Sequence, residues 1–416
     1  MGVFILVTLL VGVISGQLIQ LRAGGLDIPL IDLTLLVSLI AGWFYAKQHP
    51  AKIRDIIKLP VVRVAAYFAG AILLSVLVAI PSLWPSVSSI LITGLYAGRL
   101  IGYLLLLPIL ILVITQTPKQ LVHGLIGWFG FALVLTGLIQ LAIFPDFRIF
   151  DHFGWDPHRD RLLGSFLDPN YMAIWLSGFL LFIICVYGEA KQWLFKALFG
   201  FVVIITILYT LSRSGLLALV AGVTSVVAIR LKWWSVVFVG LALITAVFVP
   251  GISQRLAGVV ELDTTVRYRL ESWEGAVSVI RQNPITGVGY NSLKFTRYQS
   301  TPPGTSKLIS RFEDGIIRPQ QLSSRADSGF DSSLLTIFAT TGLVGIIAFC
   351  WWVWLVLLNS YSYIRKHGLF TSSAWVFGFT VSLLVSSWFV NAWLYPAILI
   401  LWMIAVASAT LEWNHE

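Results

Sequence analysis

Residues Ser88 to Gln116 read SSILITGLYAGRLIGYLLLLPILILVITQ, and the only charge in the stretch is Arg99. The hydrocarbon layer of a bilayer is about 30 Å thick and takes about 20 helical residues. A run this long and this poor in charge is therefore read as membrane-embedded. It exceeds one simple span, so two readings stay open. Its first part, Ser88 to Gly98, is re-entrant or interfacial, or the whole run is one helix. In a single helix Arg99 lies about 16 Å from the outer end, at about 1.5 Å per residue.

Comparable apolar runs, bounded by charge, Pro or Gly, flank this one on both sides. They fall at 3–21, 28–46, 61–80, 119–144, 169–187, 193–211, 214–229, 234–250, 331–358, 373–390 and 392–411. Of the 416 residues 58% are hydrophobic, enough for about twelve spans at about 20 residues each. Charged residues make up 11%, less than half the share of about 25% in soluble domains. This composition excludes a soluble globular protein, a disordered chain, a coiled coil and a disulfide scaffold. The expected fold is an all-α polytopic membrane protein of about 12 transmembrane helices, forming one domain over 1–416. The N-terminus opens with Met1-Gly2-Val3-Phe4 and has no basic n-region, so the first run is expected to be a retained span and not a cleaved signal.

The formal charge is +9. In a membrane protein this points to lipid headgroups, pyrophosphates or topology, not to nucleic acid. With the N-terminus inside, the inner connections carry Lys47, Lys52, Arg54, Lys58, Arg63, Lys119, Lys191, Lys196, Arg230, Lys232, Arg365 and Lys366. Only Asp55, Glu189, Glu412 and Glu416 oppose them. The asymmetry makes both termini cytoplasmic. Two connections are then long and external: 145–168, and the large loop 251–330. Long loops are where function concentrates. Inside the second, Thr264 to Gln282 reads as an amphipathic helix ended by Asn283-Pro284, because a residue before proline resists helical geometry.

The candidate chemistry gathers on that external side. Arg213 sits in Leu211-Ser212-Arg213-Ser214-Gly215 between two apolar runs. An arginine held at the membrane edge is either functional or snorkelling to lipid phosphate. Arg99 is either functional or structurally paired. Arg269 and Trp273 are four apart, hence on one helix face, with Arg267 just upstream. Asp168-Pro169 is an N-cap followed by Pro at the first helical position, so Asp168 reads as structural and Arg161 as the freer group, able to bind an anion. Asp331, before the next apolar run, reads as a helix cap. It is also a carboxylate able to accept a sugar hydroxyl proton. Trp155 and Tyr290 can stack on sugars, whereas most of the 17 tryptophans read as interfacial belts.

Other patterns carry less. Gly287-Val-Gly289 follows no strand and opens no helix with a third glycine, so it is not a nucleotide loop. Cys185 and Cys350 both lie in apolar runs and read as small buried hydrophobes. His152 and His158 are six apart in a loop. No metal-ligand spacing appears, and neither a metal nor a cofactor is expected.

The order of these pieces resembles the O-antigen ligase and O-antigen polymerase superfamily of bacterial envelope glycan enzymes. Four motifs carry the resemblance. They are Arg161-x-x-Gly164-x-Phe166-x-x-Pro169-Asn170, then Ser212-Arg213-Ser214-Gly215, then Arg269-x-x-x-Trp273 continuing to Asn283-Pro284-x-x-Gly287-Val-Gly289, and finally Leu335-x-x-x-Ala339-x-x-Gly342-Leu-x-Gly345. The resemblance implies a GT-C-like helical fold in the inner membrane and a metal-independent, inverting glycosyltransferase facing the periplasm. The donor it implies is a glycan on undecaprenyl pyrophosphate; the acceptor is a sugar hydroxyl on a glycan or on a second lipid-linked chain. It assigns Arg213 and Arg269 to the pyrophosphate. Arg161 and Arg99 join them as candidates, and Trp273 and Tyr290 become candidate sugar contacts. Where ligases of the family carry a histidine as proposed base, this chain has Asp331, which leans the reading towards a polymerase or an atypical ligase. A transporter or flippase for the same lipid is the rival. Against it, the two halves show no repeat and few charges lie near the bilayer midplane.

Overall fold

The computed structural model describes residues 1–23, 26–84, 86–153, 155, 157–187, 193–231, 264–293 and 329–414, with single positions 233, 237, 240 and 295. The described residues are almost entirely helical. In chain order they form α1 (Gly2–Ser15), α2 (Leu30–Gln48), α3 (Pro50–Lys58), α4 (Pro60–Leu83), α5 (Val87–Gln116), α6 (Lys119–Ile143), α7 (Pro169–Cys185), α8 (Trp193–Tyr209), α9 (Arg213–Leu231), α10 (Thr264–Gln282), α11 (Ser333–His367), α12 (Ser372–Ser386) and α13 (Pro396–Trp413).

Each apolar run except 234–250, most of which lies outside the described residues, coincides with one of these helices. Seven helices are long and apolar enough to cross a membrane: α2, α4, α5, α6, α9, α11 and α13. The helices α1, α7, α8 and α12 are apolar but have only 14, 17, 17 and 15 residues. The structure thus supports an all-α, largely membrane-spanning protein with seven candidate spans among the described residues, fewer than the twelve expected from composition. The run around Arg99 is one continuous helix of 30 residues, so the re-entrant alternative is set aside. Counting from Val87, Arg99 is about 18 Å along it.

Two local elements were not anticipated. A short antiparallel hairpin joins β1 (Gln20–Ala23) to β2 (Leu26–Pro29), pairing Leu21 with Ile28. Helix α3 occupies what reads as a plain basic turn. Its Ile53, Ile56 and Ile57 recur at helical spacing opposite Lys52, Arg54 and Lys58, which is enough to fold one amphipathic helix of nine residues along the surface.

The centre of the bundle is α13. All its residues from Pro396 to Thr410 are buried, as expected of a helix apolar on every face. Around it stand α5, α7, α11 and α12, with α9 packed on α12 and α4 on α11. Peripheral helices keep large side chains such as Leu36, Trp43, Leu77, Trp128 and Phe201 exposed, which suits a lipid surroundings.

Candidate functional site

The first two motifs meet at the ends of α7 and α9. Asp168 caps α7, accepting the amides of Asn170 at 2.6 Å and Tyr171 at 3.2 Å, with Pro169 at the first helical position. Its structural reading therefore holds. Asn170 in turn accepts the Ser212 hydroxyl at 2.7 Å and the Ser214 hydroxyl at 3.4 Å. The same Ser212 oxygen accepts the Gly215 amide at 3.1 Å and so caps α9. A β-carbon on Gly215 would overlap that of Ala173; the glycine lets α9 lie directly on α7. These bonds fix Arg213, half-buried, as the first residue of α9. Its charge adds to the positive end of the helix dipole, a place suited to an anion.

Arg161 is not the freer group expected. Its exposure is 9%, and its guanidinium donates to the carbonyls of Thr210 at 2.9 Å and Leu211 at 3.4 Å. The last carbonyls of a helix have no partner of their own, and Arg161 supplies donors just beyond the end of α8. It thereby holds the left-handed turn at Leu211, φ 51°, that leads into Arg213.

The third and fourth motifs meet at α10, α11 and the end of α12. The Arg269 guanidinium lies over the Phe389 ring at 5.7 Å. Trp273, one turn on, sits 6.3 Å from Trp388 and 6.4 Å from Phe389. Asp331 is exposed, and its amide donates to the Ser272 hydroxyl at 2.8 Å. It does not cap α11. The cap is Ser332, whose side chain accepts the Leu335 amide at 3.3 Å and donates to the Ser387 carbonyl at 2.8 Å. The reading of Asp331 as a cap is thus off by one residue, because it is Ser332 that carries the extended backbone, φ −161°. The Asp331 carboxylate stands one position outside the helix. Nearby on α10, burial and the neighbouring Glu274 raise the pKa of Glu271.

The glycines between these pieces have a structural role. Helix α11 breaks at Gly342, φ 65° and ψ −164°, and the Asn283–Gly289 segment inserts at the break. Val288 and Gly289 donate their amides to the carbonyls of Ala339 and Thr340, each at 3.0 Å. Leu343 and Val344 donate to Pro284 and Ile285, at 2.8 and 3.3 Å. The loop replaces the helical bonds that the break removes. A β-carbon on Gly287 would strike Thr340, and one on Gly342 would strike Ile285.

The two clusters face a common polar cavity of about 200 Å³. Tyr171 reaches it from the first cluster. Tyr290, Asn291, Thr336 and Asn391 reach it from the second. Tyr290 is fixed there by its amide, which donates to Ser75 at 3.2 Å. Burial pushes its phenol up to about 12, so the hydroxyl stays neutral.

Arg99 lines the cavity too, but it is paired. It donates to Asp32 of α2 at 2.7 Å, and the Tyr103 hydroxyl donates to the same carboxylate at 2.7 Å. Asp32 was missed in the sequence, although it and Arg99 are opposite charges, each set in an apolar run. Asn391 and Tyr395 also escaped notice, since nothing local distinguishes them. Trp155 packs with Phe147 and Phe150 and belongs to a small aromatic core. The side chains of Arg267 and His152 and most of the 251–330 loop lie outside what is described.

Residues 198–350 match the sequence profile of the family described as O-antigen ligase. That stretch contains Arg213, Arg269, Asp331 and three of the four motifs; the Arg161 motif precedes it. No curated protein matches the chain.

Proposed function

We propose, from the match of residues 198–350 to the O-antigen ligase family, that this chain is a metal-independent glycosyltransferase of the bacterial inner membrane. It moves a glycan from undecaprenyl pyrophosphate to an acceptor sugar hydroxyl at the outer face. The observation that supports the reading is one cavity lined by Tyr171, which follows the first motif, by Tyr290, which follows the third, and by Thr336 and Thr340 of the fourth.

In the proposed step the acceptor oxygen bonds to the anomeric carbon from the face opposite the leaving group. The bond from that carbon to the pyrophosphate oxygen breaks and its electron pair departs with the phosphate. The configuration inverts. The acceptor proton passes to the Asp331 carboxylate and then to water. A pyrophosphate leaving group needs charge stabilisation and alignment more than covalent help. Arg213 and Arg269 supply that, since a guanidinium holds two phosphate oxygens at once and keeps its charge in a low dielectric. Arg161 acts as a positioning residue through the Leu211 turn, and Arg99 through its pairing with Asp32. Trp273 and Tyr290 serve as sugar contacts.

The test uses purified protein in nanodiscs with one lipid-pyrophosphate oligosaccharide, first alone and then with a separate acceptor glycolipid. Products are read by mass spectrometry. A ladder of longer glycans identifies a polymerase, and transfer only to the added acceptor identifies a ligase. Movement of the lipid across the membrane of a vesicle reconstituted with the protein, with no change in glycan length, would replace this reading with the flippase.

A further inference from the structure

The polar cavity contains groups that the proposed mechanism leaves unused. Asn291 Nδ2 and Asn391 Oδ1 are shielded from solvent and have no hydrogen-bond partner, and both residues line this cavity. One is a donor and the other an acceptor. An unpaired buried amide group is costly to leave unmatched, so such groups are usually matched when the site is filled. The rest of Asn391 is in use: its Nδ2 donates to the Phe330 carbonyl at 2.6 Å, which fixes the side chain so that Oδ1 is the free end. Asn291 adopts φ 59°, a left-handed conformation that Asn tolerates better than most residues and that is often found at ligand clamps.

The aromatic walls are equally specific. Tyr171 and Tyr395 stack face to face at 4.2 Å, and Tyr96 and Tyr290 also line the cavity. Rings beside a fixed amide donor and acceptor suit a ligand that has an apolar face and hydroxyl groups around its edge. That is a pyranose. At about 200 Å³ the space is below the range of about 300–1,000 Å³ for drug-sized ligands, so it holds one ring and not an oligosaccharide. Tyr96 and Arg99 also border a second, apolar groove of about 410 Å³ between α2 and α5. The cavity thus adjoins a surface fit for a lipid chain, and the ring it receives is one carried on a lipid.

We propose that this cavity is a sugar-ring subsite, in which Asn291 donates to one hydroxyl group and Asn391 accepts from another on a single ring of the lipid-linked glycan. The assignment rests on the glycosyltransferase reading and adds the residues that recognise the sugar, separate from those that hold the pyrophosphate.

The experiment compares two probes on full-length protein in nanodiscs: the lipid-pyrophosphate oligosaccharide of the transfer assay, and undecaprenyl pyrophosphate without sugar. Asn291→Asp keeps the shape and the backbone preference but turns the donor into an acceptor. It should weaken the glycan-bearing lipid about tenfold, the scale of one lost hydrogen bond with a group left unpaired, and leave the sugar-free carrier unchanged. Asn291→Gly should do the same. Equal weakening of both probes, or of neither, overturns the subsite. Photo-crosslinking of the unaltered protein with a diazirine placed on the sugar gives a check independent of any variant. Labelling within 290–293 and 391–395 supports the proposal, and labelling confined elsewhere overturns it. If the unaltered protein binds both probes but transfers nothing to any acceptor, the glycosyltransferase reading fails while ring binding is still measured on its own.

Discussion

The amide of Leu343 donates to the carbonyl of Pro284 at 2.8 Å, across a break in α11. Two motifs about 55 residues apart are therefore one structural unit. The loop after α10 is held in the kink of the helix that opens at Ser333, and the register between them depends on Gly342 having no side chain.

Gly342→Ala should therefore lower stability. The backbone at φ 65° and ψ −164° costs a residue with a β-carbon about 1–3 kcal/mol, and the new carbon would strike Ile285. The thermal midpoint in detergent should fall and transfer activity with it. An unchanged midpoint would show that the break is not required.

Arg213→Ala and Arg269→Ala should each cut the turnover number about 10²–10³-fold, the loss seen when one donor to a developing negative charge is removed. Both side chains are half-buried, so the thermal midpoint should hold. Arg161→Ala should behave differently and lower the midpoint, because it strips donors from the Thr210 and Leu211 carbonyls. A full-activity Arg213→Ala enzyme would remove the clamp.

Asp331→Asn separates chemistry from folding. Since Ser332 is the cap, the change should leave the fold intact and lower transfer about 10²-fold or more, the usual contribution of a general base. Ser332→Ala should do the reverse and cost about 1 kcal/mol of stability. Comparing turnover with midpoint for the two variants checks the assignment.

The pH dependence of stability should carry a contribution from Glu271. Its pKa is raised by burial first and by Glu274 second. The carboxyl binds its proton more tightly folded than unfolded, where its pKa is about 4.3. Its contribution is fully present below that value and is lost as pH rises through the folded pKa. Glu271→Gln should flatten this part of the midpoint-versus-pH curve and stabilise the protein at neutral pH. A curve that keeps its shape would exclude Glu271 as the source.

Asp32 and Arg99 should be coupled. Each single change, Asp32→Asn or Arg99→Met, leaves a partner unpaired between the first turn of α2 and the middle of α5. The double variant should recover part of the loss, with a coupling of about 0.5–3 kcal/mol. Additive losses would mean that the 2.7 Å contact contributes nothing.

Much of this organisation was legible from hydropathy. The helices α2, α4, α6 and α13 sit close to the runs that predicted them, since about 20 apolar residues between charges have few other ways to fold. The Asp168-Pro169 cap was legible because capping is local chemistry. Helix α10 followed from its period and its Asn283-Pro284 end. By contrast, α3 and the hairpin were hidden in turns too short to show a pattern. Of the twelve expected spans, seven are helices long and apolar enough to cross a membrane among the described residues, while α1, α7, α8 and α12 are apolar yet shorter than 18 residues; composition measures the total apolar supply without showing how it is divided.

The sequence by itself determined that this chain lives in a membrane, where its helices begin and which arginines stand at their ends, because these depend on nearest neighbours and on transfer from water to lipid. Only the tertiary structure decided what those groups do to one another. It turned Arg161 onto the Thr210 carbonyl, paired Arg99 with Asp32, moved the cap from Asp331 to Ser332, and brought Asn291 and Asn391 to the lining of one cavity. Hydrogen bonds and ion pairs between residues far apart in sequence leave no periodicity to read, and they form only once packing has fixed which helices are neighbours.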